Sequence, residues 1–401
     1  MENENSKIKK LFPLELLQAP SENKGEGQSE DEIIKKKADI TMLLKEYGIL
    51  ANEIVVKEGP SKCLFRVTIP STTKMSAIKE LESDPPLGFV SYSARITTNF
   101  WGGAIDIEFP KEYPEQVFMR DALESEDYLN SSYELPCVIG KSYDGYFVFD
   151  LAKIHHVLIG ESIGFRLTPC LHSIITSLLY SRLPSELKFV LIDPYNQSHF
   201  QLFDSIGQRY LATLSNNESA VITEPNKGVE ALNAVCEEMD ARYDLLKTAS
   251  CRHFSEYNQK ISLGQIPDAE TCKQLPYWVV IISEFADLKR NAGGKYETPL
   301  IRIAESAHKV GIHLIIATES PSFHFVTGRI KANFPGRIAI GLLDGEESLV
   351  ILDSDEGETQ FFDGDMLFNN GAESIRIQAT NIEEAEVKAI VEYLNGQSNH
   401  S

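Results

Sequence analysis

The chain has no paired cysteines and no long apolar run. The spacing of the cysteines favours neither a zinc site nor a disulfide framework, because no CxxC pair occurs among Cys63, Cys137, Cys170, Cys236, Cys251 and Cys272. We interpret these residues as buried thiols. No segment approaches the roughly 18 apolar residues of a membrane-spanning helix, and the start, MENENSKIKK, lacks the apolar core of a signal peptide. These absences predict a cytoplasmic protein with no membrane segment in this chain.

Positive charge is also scarce. The chain carries 59 acidic residues against 38 lysines and arginines, which gives a net charge of −21. Such a balance argues against nonspecific attraction of the whole chain to nucleic acid, although it leaves a local basic channel open. Acidic residues concentrate in stretches such as LDGEESLVILDSDEGE (343–358), and a charge run of this kind is usually a solvated face.

The first part of the chain predicts a linker followed by a small domain. Residues 15–32, ELLQAPSENKGEGQSEDE, are polar and contain few large apolar residues, so we expect residues 1–30 to be disordered. A helical pattern then runs from Asp31 to about Gly48. Residues 52–70 and 88–110 alternate around Gly-Pro and Gly-Gly turns and predict two hairpins. We therefore predict an α+β domain over residues 31–115.

From residue 135 to residue 395 the pattern changes to short apolar runs, each followed by a helical segment. The runs are HHVLIGE (155–161), KFVLIDP (188–194), YWVVIISE (277–284), GIHLIIATE (311–319) and GRIAIGL (336–342). Near-continuous apolar strands joined by helices predict an α/β core with a mostly parallel sheet covered on both faces. In such a fold the carboxyl ends of the strands carry the ligand site.

The first of these strands leads into a loop that has part of a phosphate-binding pattern. A phosphate loop of the form GxxxxGK[ST] uses glycines to wrap the phosphates, a lysine to neutralise them and a hydroxyl to hold Mg²⁺. Gly160 opens the frame, but Phe165, Arg166 and Leu167 stand at the second glycine, the lysine and the hydroxyl. The motif alone favours an ordinary strand-turn-helix connection.

Polar residues follow two further strands. Ser283 and Glu284 end YWVVIISE, where an acidic pair would hold a metal and polarise water; Glu284 alone is equally typical of a helix cap. Thr318 and Glu319 end the next strand, where a polar side chain can sense a terminal phosphate, and where an ordinary serine/threonine turn would look the same.

The densest basic stretch in the second half is VTGRIKANFPGRIAI (326–340), which supplies Arg329, Lys331 and Arg337. These three cations are candidates for contact with a phosphate backbone. Basic residues on a helix are also often only solubilising.

Several segments together resemble the motor domain of the FtsK/SpoIIIE family of DNA translocases. They are EEMDARYDLLKTASCRHFSEYNQKI (237–261), PYWVVIISEFADL (276–288), ESAHKVGIHLIIATESPS (305–322), TGRIKANFPGRIAI (327–340) and DGDMLF (363–368). The resemblance implies a RecA-like P-loop NTPase core that uses ATP and Mg²⁺. It also implies a hexameric ring around double-stranded DNA, acting in chromosome segregation or DNA transfer.

Carried over by position, the resemblance assigns a degenerate nucleotide site. Its Walker A loop is Gly160, Glu161, Ser162, Ile163, Gly164, Phe165, Arg166 and Leu167; Walker B ends at Ser283 and Glu284; and Glu319 takes the sensor position. The arginine finger becomes Leu349, and a lysine after IDP becomes Tyr195. We therefore expect weak or absent ATP hydrolysis, weakened binding of ATP and Mg²⁺, and weak DNA binding.

Three functions stay open from the sequence. The first is a translocase-type subunit that still binds DNA. The second is a catalytically inactive pseudo-ATPase that serves as a scaffold or regulatory subunit of a partner ring. The third is a structural protein that has kept only the fold.

Overall fold

The computed structural model describes residues 8–19, 30–83, 94–99, 103–162, 164, 166–194, 200–214, 221–266, 273–342, 344–358, 364–372 and 374–397. They form two compact units. The large unit comprises the described residues within 1–19, 118–140 and 146–401, and the small unit those within 20–117 and 141–145. Among the described residues, no helix combines the length and the apolar character that crossing a membrane requires.

The small unit is a four-stranded antiparallel sheet with two helices. Its elements are α1 (Glu30–Glu46), β1 (Glu53–Glu58), β2 (Lys62–Thr68), α2 (Met75–Ser83), β3 (Arg95–Asn99) and β4 (Ala104–Pro110), with strand order β1-β2-β4-β3. Helix α1 ends where Gly48 takes a positive φ of 68° and the Ile49 N–H donates to the Leu44 carbonyl at 2.9 Å. The strands of both predicted hairpins pair, and residues 88–93 and 100–102 of the second lie outside the described residues.

The large unit is built on a ten-stranded sheet. Its strands are β5 (Pro136–Ser142), β6 (Gly145–Asp150), β7 (His156–Glu161), β8 (Leu187–Ile192), β9 (Val221–Ile222), β10 (Tyr277–Ile282), β11 (Ile312–Thr318), β12 (Gly336–Ile340), β13 (Asp365–Asn369) and β14 (Ser374–Ala379). The order is β6-β5-β14-β13-β12-β7-β11-β10-β8-β9. Strands β12, β7, β11, β10, β8 and β9 pair in parallel, whereas β12-β13 and β13-β14 are antiparallel. The predicted mostly parallel α/β fold with a smaller α+β part is confirmed.

The helices of the large unit follow the strands in turn. They are α3 (Met119–Glu124), α4 (Glu126–Leu129), α5 (Leu151–Ile154), α6 (Leu167–Ser181), α7 (Gly207–Tyr210), α8 (Pro225–Thr248), α9 (Phe254–Ser262), α10 (Phe285–Ala292), α11 (Glu297–Ser306), α12 (Gly328–Lys331), α13 (Gly345–Leu352) and α14 (Glu384–Gly396). Short 3₁₀ segments cover Leu14–Leu16, Gln201–Ile206, Gly293–Tyr296, Ala307–Val310 and Glu356–Glu358.

The central strands are apolar throughout because both faces of the sheet are covered. On β7, Val157 and Ile159 belong to one apolar cluster, with helix α6, whereas Leu158 belongs to a second cluster, with α8, α10 and α11. Successive strand residues point to opposite faces, so a continuous apolar run serves two cores at once. The sheet therefore fixes the positions at which its carboxyl ends present polar residues.

The N-terminal arm, residues 8–19, corrects the prediction of disorder over residues 1–30. Ile8, Phe12 and Leu17 are buried in the core of the large unit. The arm pairs with the end of α6, since the Leu11 N–H donates to the Tyr180 carbonyl at 3.1 Å. The linker-like composition of residues 15–32 concealed these three apolar anchors. The rest of 1–29 lies outside the described residues, and Glu30 begins α1.

A histidine cluster lies at the amino ends of β7 and β11. The rings of His155 and His308 stack with centroids 4.1 Å apart, and His156 and His313 are each only 1% exposed. Burial first, and the neighbouring histidines second, lower the pKa of His308 to about 4 and that of His313 to about 3. The folded state therefore holds these rings neutral.

Acid is expected to destabilise the large unit through this cluster. The unfolded chain takes up protons near the ordinary histidine pKa of 6.5, but folded His308 and His313 take them up only near pH 4 and 3. Unfolding therefore binds protons, and stability declines as pH falls from 6.5 towards 4. Urea midpoints measured from pH 7 to pH 5 should show this decline. His308→Gln should flatten it, whereas His324→Gln, at an exposed histidine, should not; equal slopes for all three proteins would contradict the assignment.

Candidate nucleotide site

The polar strand ends predicted from the sequence meet at one edge of the sheet. Strand pairing aligns Thr318 with Gly160 and Ile282 with Ile192. Ser283 and Glu284 directly follow β10, and Asp193 directly follows β8. Ser162, Gly164 and Arg166, the described residues between β7 and α6, lie at the same edge. We call this group of residues the strand-end site.

The side chain of Glu161, the last residue of β7, contacts the amino end of α6. Its Oε1 accepts the Arg166 N–H at 2.7 Å, and its Oε2 accepts the Leu167 N–H at 2.7 Å. The residue is 2% exposed. Free N–H groups and the helix dipole make the start of a helix an anion-binding position, and here the anion comes from the chain itself. The sequence offered no signal for this contact beyond an acidic residue at the end of a buried strand.

The structure places Gly160 inside β7 rather than in the loop. A Cβ at this position would lie 2.4 Å from the side chain of Ile351, so this glycine permits close packing of α13 on the strand. Gly164, with a φ of 82°, is the residue that turns the loop. Of the predicted Walker A residues, Ile163 and Phe165 lie outside the described residues.

A frame one residue later matches the strand and helix boundaries more closely. Counting the eight motif positions from Glu161, at the end of β7, puts Arg166 at the second glycine, Leu167 at the lysine and Thr168 at the hydroxyl. Leu167 is the first residue of α6 and is 1% exposed in the core. In this frame a hydroxyl survives at Thr168, which the sequence analysis missed, but the lysine is replaced by a buried apolar side chain.

A second acid, on α13, contacts the loop. The Ser162 hydroxyl donates to Glu347 Oε2 at 2.6 Å. Helix α13 begins at an Asp344 cap, whose side chain accepts the Glu347 N–H at 2.9 Å. The loop is therefore held by hydrogen bonds to carboxylates both at its helical end and from the neighbouring helix.

Both carboxylate oxygens of Glu284 accept hydrogen bonds from its neighbours. Its Oε1 accepts the Ala286 N–H at 2.9 Å and the Thr318 hydroxyl at 2.7 Å, and its Oε2 accepts the Glu319 N–H at 2.6 Å. Burial raises the pKa of Glu284, and the three donors oppose that shift. The carboxylate thus caps α10 and ties the end of β10 to the end of β11.

Ser283 and Glu319 complete this part of the strand-end site. Ser283 is fully buried, and its hydroxyl donates to Asp193 Oδ1 at 2.9 Å. Glu319 is half-buried and uses its backbone, not its carboxylate, to contact Glu284. Among the described residues, no group of three or more His, Cys, Asp and Glu side chains is arranged to hold a metal ion.

Two of the three predicted DNA-contacting cations are committed within the fold. Lys331 pairs with Asp353 at 2.5 Å and donates to the Leu349 carbonyl at 2.8 Å, and Arg337 pairs with the same aspartate. Burial alone would raise the pKa of Asp353, but the hydrogen bonds from Lys331 and Arg337 lower it. Only Arg329 of the three lies exposed. The local sequence did not indicate that folding places Asp353 beside Lys331 and Arg337.

The remaining predicted positions fall in different places. Leu349 lies on α13 and is 44% exposed, so the position that resembles the arginine finger presents an apolar side chain. Tyr195 lies outside the described residues.

Comparison with known proteins identifies the family to which this arrangement belongs. The FtsK/SpoIIIE family model matches residues 119–323, and the FtsK alpha domain matches residues 11–111. A DNA translocase FtsK of Chlorobaculum tepidum is 37% identical over 97% of this chain and 48% of the relative. One of Treponema pallidum is 34% identical over 95% of this chain and 47% of the relative. The chain spans about half the length of these curated relatives.

Solved structures support the same fold. The pCW3 conjugation coupling protein TcpA, in its monomer form with ATPgS, superposes with a TM-score of 0.60 at 19% identity, covering 90% of this chain and 99% of that one. The cytoplasmic domain of the Thermomonospora curvata type VII secretion ATPase EccC gives 0.58 at 18% identity, over 70% and 34% of the two chains. The fold is that of the P-loop ATPases, and the chain belongs to the FtsK/SpoIIIE family.

Proposed function

We propose that this chain is a non-hydrolysing subunit of the DNA-translocase type, a pseudo-ATPase that serves as a scaffold or regulator within a ring of motor subunits. The relatives are named DNA translocases, and double-stranded DNA is the partner that we propose on that basis. Chromosome segregation or DNA transfer is the process that this partner suggests.

One observation carries the proposed loss of hydrolysis: the end of β10 offers a single carboxylate, Glu284, which already accepts three hydrogen bonds from the chain. Metal-assisted phosphoryl transfer needs one acid to hold the metal and one to orient water. Ser283 stands in the first position and donates to Asp193. Glu284 stands in the second, with both oxygens bonded to protein donors. These residues do not fit Mg²⁺ and an attacking water, so we derive no catalytic step through them.

In the frame counted from Glu161, the cationic groups that would stabilise the reaction are replaced by apolar ones. The first position of α6 holds buried Leu167, and the finger position holds Leu349. An arginine finger alone contributes about 10³- to 10⁵-fold in rate. The phosphate-loop lysine, the metal-holding acid and the arginine finger all stabilise the same transition state. Loss of charge at all three positions favours a non-hydrolysing subunit over a slow motor.

A weak interaction with DNA fits the charge distribution. Of the three basic residues in the 326–340 stretch, Arg329 is exposed, whereas Lys331 and Arg337 neutralise Asp353. With few phosphate contacts the affinity should be low and should vary only modestly with salt.

Phosphate release from Mg²⁺-ATP tests the proposal directly. The full chain, with and without duplex DNA, should release phosphate no faster than a protein-free blank. A DNA-stimulated turnover of about 1 per second or faster, within the ordinary range for enzymes, would contradict the proposal if Glu284→Gln abolished it. Turnover that persisted in Glu284→Gln and co-eluted with the chain on gel filtration would contradict the proposal as well, whereas turnover confined to other fractions would come from a contaminating ATPase.

A further inference from the structure

We propose that the Glu161 carboxylate is a built-in substitute for a nucleotide phosphate and blocks the phosphate loop from within. This inference deepens the proposed function and rests on it. It assigns a specific residue to the expected weakening of nucleotide binding, separate from the proposed loss of hydrolysis.

The geometry of Glu161 is that of a bound anion. Its two oxygens accept the N–H groups of Arg166 and Leu167, both at 2.7 Å, at the start of a 15-residue helix. In phosphate loops, N–H groups at this position point at the phosphate. A phosphate entering the same place would meet a carboxylate that is 2% exposed. Two anions at contact distance with little solvent between them repel strongly.

The sheet holds the carboxylate in place. Glu161 is the last residue of β7 and pairs with Ile340 on β12, so its backbone is fixed by the strand while its side chain is fixed by the helix. A flexible loop residue would yield to a ligand more easily. The Ser162 to Glu347 hydrogen bond adds a second negative group beside the loop, which further disfavours a phosphate.

The same contact satisfies the two amides at the start of α6. Buried N–H groups at the start of a helix need acceptors. In this chain Glu161 supplies two of them. These two amides are therefore satisfied by the chain itself, and removal of the carboxylate should leave both donors directed at an open position.

The experiment compares anion binding before and after removal of the carboxylate. Glu161→Ala removes the anion, Glu161→Gln keeps its size and removes its charge, and Glu346→Ala removes an exposed carboxylate from the first turn of α13. Inorganic pyrophosphate and then Mg²⁺-ATP are titrated into each full-length protein by calorimetry. Thermal melts establish that each variant is folded.

Both Glu161 variants should bind pyrophosphate at least about tenfold more tightly than the unmodified chain, the scale expected for an anion at a helix terminus. Glu346→Ala should bind as weakly as the unmodified chain. None of the proteins should hydrolyse ATP, because Ser283 and Leu349 are unchanged. An equal gain in Glu346→Ala would reduce the effect to general charge and overturn the inference.

Other results separate this inference from the proposed function. Folded Glu161 variants that bind no better than the unmodified chain would overturn the inference and leave the proposed loss of hydrolysis intact. Turnover of ATP by the unmodified chain would overturn the proposed function itself. Should both variants fail to fold, hydrogen exchange on the unmodified chain decides: slow exchange at the Arg166 and Leu167 amides supports the carboxylate contact, and exchange at the rate of an exposed loop refutes it.

Discussion

Replacing Arg242 with methionine should destabilise the large unit by about 2–5 kcal/mol, because two backbone carbonyls lose their charged donor. Arg242 is 1% exposed. Its Nη1 donates to the carbonyls of Pro276 at 2.9 Å and Val310 at 3.0 Å, and its Nε donates to Glu238 at 2.7 Å. Methionine fills a similar volume but leaves both carbonyls without this donor. Urea unfolding at neutral pH measures the change in free energy.

The chain offers matched controls for this substitution. Arg302 pairs with Asp240 at 2.5 Å, but both side chains are about half exposed, so Arg302→Met should cost no more than about 1 kcal/mol. Glu238→Gln should also cost less than Arg242→Met, because the new amide would still offer a carbonyl oxygen to the guanidinium and its position is partly solvated. A loss below about 1 kcal/mol in Arg242→Met would show that the two backbone carbonyls find other donors.

The role of Arg242 illustrates what sequence reasoning reached and what it did not. The stretch 237–261 carried the family resemblance, but local pattern does not reveal that the guanidinium of Arg242 also lies 5.2 Å over the Trp278 ring, 36 positions along the chain. The strands and their parallel order were predictable, because apolar runs of strand length separated by helices have few stable arrangements. Partners across the fold were not.

In the strand-end site, too, the sequence predicted residue types but not the contacts between them. The losses at Ser283 and Leu349 were readable as residue types at expected positions. The engagement of Glu284 depends on Thr318 and Glu319, more than 30 residues away, and only pairing of β10 with β11 brings them together. Likewise Asp353 forms ion pairs with both Lys331 and Arg337. Residue type indicated which chemistry was missing, and tertiary contact determined what the remaining groups do instead.

Composition predicted disorder for the N-terminal arm, whose apolar residues are instead buried. Substitution of Phe12 tests the role of the arm. Phe12 is 3% exposed and packs on Tyr180 with ring centroids 4.9 Å apart. Phe12→Ala should lower the free energy of unfolding of the large unit by about 3–5 kcal/mol, as is usual for a buried phenylalanine. Urea unfolding measures the loss. Glu15→Ala, at an exposed position of the same arm, should change stability by no more than about 0.5 kcal/mol.

Two further hydrogen bonds hold the arm, one near each end. The Lys9 N–H donates to the Ser181 carbonyl at 3.3 Å, and the Gln18 N–H donates to Glu386 on α14 at 2.6 Å. Because anchors lie at both ends, Phe12→Ala should weaken the core beneath the arm without releasing the arm, and proteolysis within residues 8–19 should stay slow. Deletion of residues 1–19 removes Ile8, Phe12 and Leu17 together and should cost more than Phe12→Ala. Equal stability of the deleted and intact chains would mean that the arm contributes nothing to the core that it covers.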